Sequence, residues 1–295
     1  MASATSPTAV AVSWQASTDN VAVTGYDVYR DSTLLATLGS SALSFNDAVA
    51  AGSTHSYAVD AFDAAGNHSA QSAPVSVTTP TNPPKYVQGV VTTTGSRVTS
   101  VTLKFGPVAK GDLLVGLFGQ YDSAGQVGVS DNVNGAWTRA AASTTWRGAS
   151  GNPGDIALYY FANSAAAPSG LTITISSPGA TYMQASATEY SGIATVNPLD
   201  QVVIAKGSSA SADSGLTAAV SSGELIYGAM VATNSAGTLT PGSSQGMTFV
   251  KRGQSSSGTQ GQEDIAGGAA GQQHAGFTFP SSTPWFAVCV VFKGG

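Results

Sequence analysis

Asp131, Asn132 and Asn134 put three side-chain oxygens within four residues, directly ahead of Gly135. An oxygen-only set of this kind suits calcium, although the distal bidentate glutamate of an EF-hand loop is missing. Asx-rich turns also close on themselves without metal, so a structural Ca²⁺ and a plain turn are both open readings. Residues 86–295 hold one histidine, His274, and one cysteine, Cys289. That pair excludes the common zinc frameworks. No motif in the chain requires a cofactor.

A second kind of chemistry is stacking. Exposed aromatic rings flanked by polar groups can hold the face of a pyranose. Trp146 beside Arg147, and Tyr121 beside Asp122, have that character. Trp146 leads into the Gly-containing stretch 147–154 and Tyr121 sits at a strand exit, so these four residues are the expected ligand-binding set. Trp137 and Trp285 fall at core positions instead.

Acid–base and nucleophilic chemistry find less support. Glu189 lies in an otherwise apolar or small-residue strand, so it is expected to be buried with a partner, Arg139 or Arg147. A glycosidase would need a second carboxylate across a cleft. No G-x-S-x-G elbow stands between a strand and a helix. His274 has no local partner that would make a triad, and Cys289 sits in the apolar run Trp285–Phe292 as a buried small hydrophobe. No catalytic residues are assigned.

The elements that must position these side chains are strands. Only 9% of the residues are charged, 42% are hydrophobic, and glycine occurs 35 times. That composition suits many short strands and turns with enough apolar surface for a core. Candidate strands alternate in period two, and almost no segment repeats at 3.6 residues. In Gly25–Arg30, Tyr26 and Val28 fall on one face, with Asp27 and Tyr29 on the other. The net charge of −5 comes without a run of Lys or Arg, which argues against nucleic-acid binding. The longest strongly apolar run is strand-sized, far below the ~20 residues of a membrane helix, so no membrane insertion is expected. Met1–Thr5 carries neither a charged n-region nor an apolar h-region, and a segment of a longer exported precursor is the expectation.

Residues 1–79 form a first domain, residues 80–85 a Pro-rich linker with three prolines, and residues 86–295 a larger second domain. The second domain reads as a duplication, with half-repeats at about 86–192 and 198–295. Gly111–Gly116 matches Gly223–Gly228, and Trp137 matches Phe249, at an offset of 112 residues. Tyr182–Gly192 then lies over Trp285–Gly295 at an offset of 103. A half of this size is short for a core of its own, so the expected fold is one jelly-roll-like β-sandwich with pseudo-two-fold duplication.

The first domain also resembles a family. Ser13-Trp14, the stretch Ser17–Arg30, Ala51–Tyr57 and Ala61–Asn67 are similar, in order, to the fibronectin type III modules of bacterial extracellular enzymes and surface proteins. The resemblance implies a sandwich in which Trp14 anchors the core and Tyr57 is a tyrosine corner bonding back to the backbone. Those modules have a full strand before the Trp-bearing one. Here only Met1–Thr8 precedes it, so a truncated sandwich with an open edge is expected. Asp19, Asp31, Asp47 and Asp63 read as turn residues. Val108–Val115, Asp131–Trp137, Glu189–Gly192 and Asn197–Asp200 resemble β-sandwich repeats of large bacterial secreted and surface proteins.

The function expected from these readings is a non-catalytic binding or adhesive module, extracellular or at the cell surface, whose partner is a polysaccharide or cell-surface glycan. One alternative is a structural subunit or stalk that self-assembles through the open strand edge. Another is a polysaccharide hydrolase built on Glu189.

Overall fold

A computed structural model describes residues 1–121, 123–140 and 153–295, with the backbone alone for Thr144–Arg147 and Pro153. Every regular element among the described residues is a strand. The chain divides into two compact units, Met1–Asn82 and Pro83–Gly295.

The first unit contains β1 (Ala2–Ser6), β2 (Ala9–Ser13), β3 (Val23–Arg30), β4 (Thr33–Gly39), β5 (Ser44–Ala48), β6 (Thr54–Asp63) and β7 (Val75–Thr78). They make a three-stranded sheet, β1-β2-β5, and a four-stranded sheet, β4-β3-β6-β7. Period-two alternation sends Val10, Val12, Val28, Tyr57 and Val77 into one core. Trp14 is only half-buried; its ring lies tilted against Tyr26, 5.5 Å between centroids.

Three expectations change here. β1 is present and pairs with β2, Ala2 opposite Val12, so the strand expected to be missing is there and itself forms the sheet edge. Its small residues, Ala-Ser-Ala-Thr-Ser, carry little strand propensity and hid it. The Tyr57 hydroxyl donates to the Asp47 carboxylate at 2.7 Å rather than to the backbone. Asp47 lies in β5, buried, where Arg30 also binds it at 3.0 Å. It is a core ion-pair residue, unlike Asp19 and Asp63, whose carboxylates cap backbone N–H groups two to four residues on.

The second unit begins with β8 (Lys85–Thr93), β9 (Val98–Phe105), β10 (Leu113–Gln120), β11 (Gly128–Asp131), β12 (Gly135–Ala136), β13 (Thr138–Arg139), β14 (Thr144–Arg147), β15 (Pro153–Phe161), β16 (Leu171–Thr181) and β17 (Met183–Ser191). It continues with β18 (Leu199–Asp213), β19 (Ala219–Val220), β20 (Leu225–Ala232), β21 (Thr240–Pro241), β22 (Ser243–Ser244), β23 (Met247–Thr248), β24 (Val250–Gln254), β25 (Gln260–Ala266), β26 (Gly271–Gln272) and β27 (Gly276–Phe292). The large sheet of the first half runs β13-β15-β10-β17-β8, and that of the second runs β24-β25-β20-β27-β18. The order is the same, so the duplication is visible in topology.

The halves do not share one sandwich. Phe118, Trp137, Tyr159, Ile173 and Ile175 belong to a core inside the first half, between its large sheet and β12-β11-β16-β9. Met230, Leu239, Phe277 and Trp285 form one inner cluster of the second half, and Ile226, Phe249, Cys289 and Val291 another. The large sheets then pack face to face through a separate layer that includes Leu113, Val115, Leu117, Tyr227, Val231, Val288 and Phe292. The single jelly-roll-like sandwich expected from sequence is therefore two sandwiches back to back. A half of this size gains its missing burial by covering the outer face of its twin. β10 and β20 are consequently buried on both faces along their whole length, as their near-continuous apolar sequences require.

The register also corrects the later repeat offset. Leu113 is opposite Tyr190 in β17, and Leu225 is opposite Phe292 in β27. Equivalent residues there are 102 apart, not 103. One residue matters because it exchanges the faces of a strand: Glu189 aligns with inward-facing Val291 and Tyr190 with interface-facing Phe292.

Candidate functional site

One end of the first-half sheet gathers the loops that sequence singled out. Gln120 closes β10, opposite Asp155 of β15 and Met183 of β17, and Asp155 is opposite Thr145 of β14. One residue further along, Trp146 is opposite Gly154, while Tyr121 directly follows Gln120 and Tyr182 directly precedes its partner Met183 in the chain. Arg147 is opposite Pro153. The register thus brings the backbone of Trp146, Tyr121 and Tyr182 to one edge. Asp122 lies outside the described residues.

The edge is fastened from below by Gln120, which is fully buried. Its amide donates to the carbonyls of Ser123 and Gly125, each at 2.8 Å, and its carbonyl accepts from Ser177 Oγ at 3.1 Å. Gly125 has a φ of 101°, and a Cβ there would come within 3.0 Å of Pro178. The tight approach of those two loops needs that glycine.

Tyr121 departs from the expected exposed platform. Its ring packs against the layer between the two halves, and its hydroxyl points to the Ala232 carbonyl at 3.5 Å. Burial pushes the phenol well above its ordinary pKa. The exposed ring is Tyr182, at 45%, a residue the sequence marked only as a strand start. Its signal is an aromatic at the first turn-facing position of a strand that is otherwise small.

The Asp131 turn does not fit a calcium ion. Asp131 Oδ1 accepts from Val133 N at 2.8 Å and Asn134 N at 2.6 Å, and Oδ2 accepts from Asn134 Nδ2 at 3.1 Å and Trp137 Nε1 at 2.8 Å. The Asn132 carbonyl accepts from Thr172 N, and that of Asn134 from Ala165 N. The three groups aim at different protein donors, and the buried carboxylate is filled. The turn serves to seat the Trp137 indole.

Glu189 is fully buried, as expected, but Arg139 is not its partner, and the Arg147 side chain lies outside the described residues. Gln88 Nε2 donates to Glu189 Oε2 at 2.6 Å, and the Asp112 carboxyl hydrogen-bonds to it. Arg139 is taken by Asp155 at 2.5 Å. Burial first, and the Asp112 contact second, raise Glu189 to about 7; burial raises Asp112 as well. Two adjacent buried carboxyl groups resist ionising together. They do not leave the gap of about 5 Å or more that glycoside hydrolysis needs. His274 is partly exposed, with Nδ1 at 3.1 Å from Asp213 Oδ2.

No protein-family profile matches the chain. It is similar to exoglucanase B of Cellulomonas fimi, 43% identical over 100 residues, which are 32% of this chain and 9% of that protein. It is similar to chitinase D of Niallia circulans, 51% identical over 74 residues, 25% of this chain and 14% of that one. Exoglucanase A of Cellulomonas fimi matches at 49% identity over 78 residues, 26% and 9% of the two chains. The chain therefore spans a small part of the length of these relatives. Among solved structures, chitinase ChiA74 from Bacillus thuringiensis (18% identical, covering 62% of this chain and 24% of that one) superposes with a TM-score of 0.23. A carbohydrate-binding module of the β-sandwich superfamily (10% identical, 63% and 87%) gives 0.22. Scores this low carry no weight for fold or function.

Proposed function

We propose that this chain is a non-catalytic, polysaccharide-binding part of an extracellular bacterial protein. The first unit is a fibronectin type III module acting as a spacer. Its three-plus-four strand arrangement is that of the family, and matched stretches of 74 and 78 residues have its length. The doubled unit carries the binding edge. The observation that carries this reading is the exposed Tyr182 ring at the loop-bearing sheet end, next to the Gln120–Met183 pair and on the sheet to which β14 adds Trp146. The exposed Tyr182 ring would stack a pyranose face, and Trp146, Arg147 and Asp122, read from the sequence as ligand residues, would add to the contact. The relatives' names, exoglucanase and chitinase, make β-linked glucan and chitin the first ligands to try.

The alternative of assembly by a neighbouring chain completing a missing strand loses its motive because β1 supplies that strand. The hydrolase alternative loses its motive because Glu189 is enclosed with Asp112. Affinity electrophoresis of the full chain in gels containing hydroxyethylcellulose, glycol chitin or xylan tests the proposal. Retardation in at least one gel, abolished by Trp146→Ala and reduced by Tyr182→Ala, is the expected result. Unchanged mobility in every gel rules it out.

A further inference from the structure

We propose that Asp27, Asp60 and His68 of the first unit bind one divalent transition-metal cation of the zinc type. This goes beyond sugar binding and involves the other unit.

Asp27 and Asp60 are directly opposite each other on paired strands β3 and β6. Both are buried, at 7% and 6% exposure. Like charges facing across a ladder repel, so the pair needs positive charge nearby. The first unit has almost none to give. Residues 1–82 hold six aspartates, no glutamate, one arginine and no lysine, and so carry the chain's whole net charge of −5. The arginine, Arg30, is committed to Asp47. What meets the pair is the imidazole of His68, with Nδ1 at 3.0 Å from Asp60 Oδ1 and 3.8 Å from Asp27 Oδ2.

The three ligand atoms lie within 4.8 Å of one another. Zinc with bonds of about 2.0 to 2.1 Å in a tetrahedron sets its ligand atoms about 3.3 Å apart. The two distances from His68 bracket that value, and the carboxylate oxygens, within 4.8 Å of each other, close to it on binding. Each carboxylate is already steadied through its other oxygen. Tyr29 OH donates to Asp60 Oδ2 at 3.0 Å, and Thr37 Oγ1 donates to Asp27 Oδ1 at 2.6 Å. Outer hydrogen bonds of this kind orient metal ligands. The His68 ring is placed by its backbone bridge to Phe62 and by contact with the Phe62 ring at 5.4 Å.

Access is open on one side. His68 is about half-exposed and borders a cleft of 190 Å³ that Asp19, Asp63 and Asn67 also line. A water or an external ligand can complete the tetrahedron from there. Imidazole plus two carboxylates favours zinc and its neighbours over calcium and magnesium, which prefer oxygen alone. The Asp60 contact holds the His68 pKa above its ordinary value. A cation must displace that proton, so uptake strengthens as pH rises.

The test is isothermal titration of the full chain, stripped with chelator, with zinc chloride at pH 7.5, followed by dialysis and metal analysis. One zinc per chain is expected, with Co²⁺ giving the visible bands of a tetrahedral site. His68→Ala, at a half-exposed position that leaves the core untouched, should weaken binding at least tenfold. Asp27→Asn should do the same. His55→Ala and His274→Ala, which remove the other two histidine–aspartate contacts, should bind as the parent does. Absence of zinc uptake by the parent, unchanged uptake by His68→Ala, or preference for calcium over zinc would each overturn the proposal.

Discussion

Tyr190 donates its hydroxyl to Asp264 Oδ2 at 2.5 Å across the boundary between the two halves of the second unit. It is the last rung of a buried polar ladder whose partners are all 74 residues apart. Ser186 accepts from Gln260 Nε2 at 2.9 Å, and Thr188 donates to Gln262 Oε1 at 2.8 Å. Asp264 is held on its other side by Arg252 at 2.7 and 2.9 Å, and the Arg252 guanidinium stacks over Tyr86 at 4.2 Å. The pseudo-symmetric seam, where β15 meets β27, is apolar instead and includes Tyr160 packed edge-on against Phe292. A polar seam in a dry layer penalises slipped registers, because a slip strands its donors and acceptors.

Removing one member of this ladder therefore costs more than its own bond. Asp264→Asn should destabilise the second unit by about 3 kcal/mol, since it leaves the Arg252 charge short of its partner. Tyr190→Phe should cost about 1 kcal/mol. Urea unfolding of both variants and the double mutant measures the coupling. Strict additivity would show that the two side chains do not act together.

The buried glutamates make alkaline pH unfavourable. Burial raises Glu263 to about 8, Glu189 to about 7 and Glu224 to about 6, from an ordinary 4.5. Each folded-state value lies above the unfolded one, so the fold holds extra protons between the two. Their contribution is fully present below the unfolded pKa and is lost as pH rises through about 6 to 8. The melting temperature of the second unit should fall across that window. A flat or rising profile contradicts the assignment.

Glu189→Gln imitates the protonated side chain. Its carbonyl can accept from Gln88 and its amide can donate to Asp112. The variant should therefore lose part of the alkaline decline while keeping polysaccharide retardation intact. Loss of retardation would reopen a direct role for Glu189.

Gly116 and Gly228 are repeat-equivalent, each in the middle of a strand buried on both faces. A Cβ at Gly116 would meet the Ser186 carbonyl at 2.1 Å, and one at Gly228 would meet Ala275 Cβ at 2.5 Å. Alanine at either site should cost roughly 1 to 3 kcal/mol or more. Gly95, with nothing within 4 Å, should accept alanine at no cost. Denaturant midpoints of the three variants decide this, and equal midpoints would refute the packing argument.

Asp131→Ala should cost about 2 kcal/mol and red-shift tryptophan emission, because the buried Trp137 indole loses its acceptor. Added calcium should leave the parent's melting temperature unmoved. A calcium-dependent rise lost in Asp131→Ala would restore a metal role to the turn.

Much of the scaffold is legible in the sequence. Alternation in Gly25–Arg30 puts Tyr26 and Val28 in the core and Asp27 and Tyr29 on the opposite face, as found. The duplication is legible because both copies need a glycine at the same turn: Gly111 and Gly223 have φ values of 94° and 86°. Cys289, Trp137 and Trp285 are buried where their neighbours' hydrophobicity puts them. β1 was missed because its residues are small and its pairing supplies what its side chains do not.

Local sequence, then, determined strand, face and repeat, because side-chain direction in an extended chain follows from position alone. It could not determine which faces meet. That Asp27 confronts Asp60 and His68, that Glu189 is enclosed with Gln88 and Asp112 rather than with Arg139, and that Tyr121 turns into a layer between two sandwiches were decided by strand register and sheet stacking. These contacts join residues that meet only across strands and sheets, and their energies depend on burial that exists only once those sheets have packed.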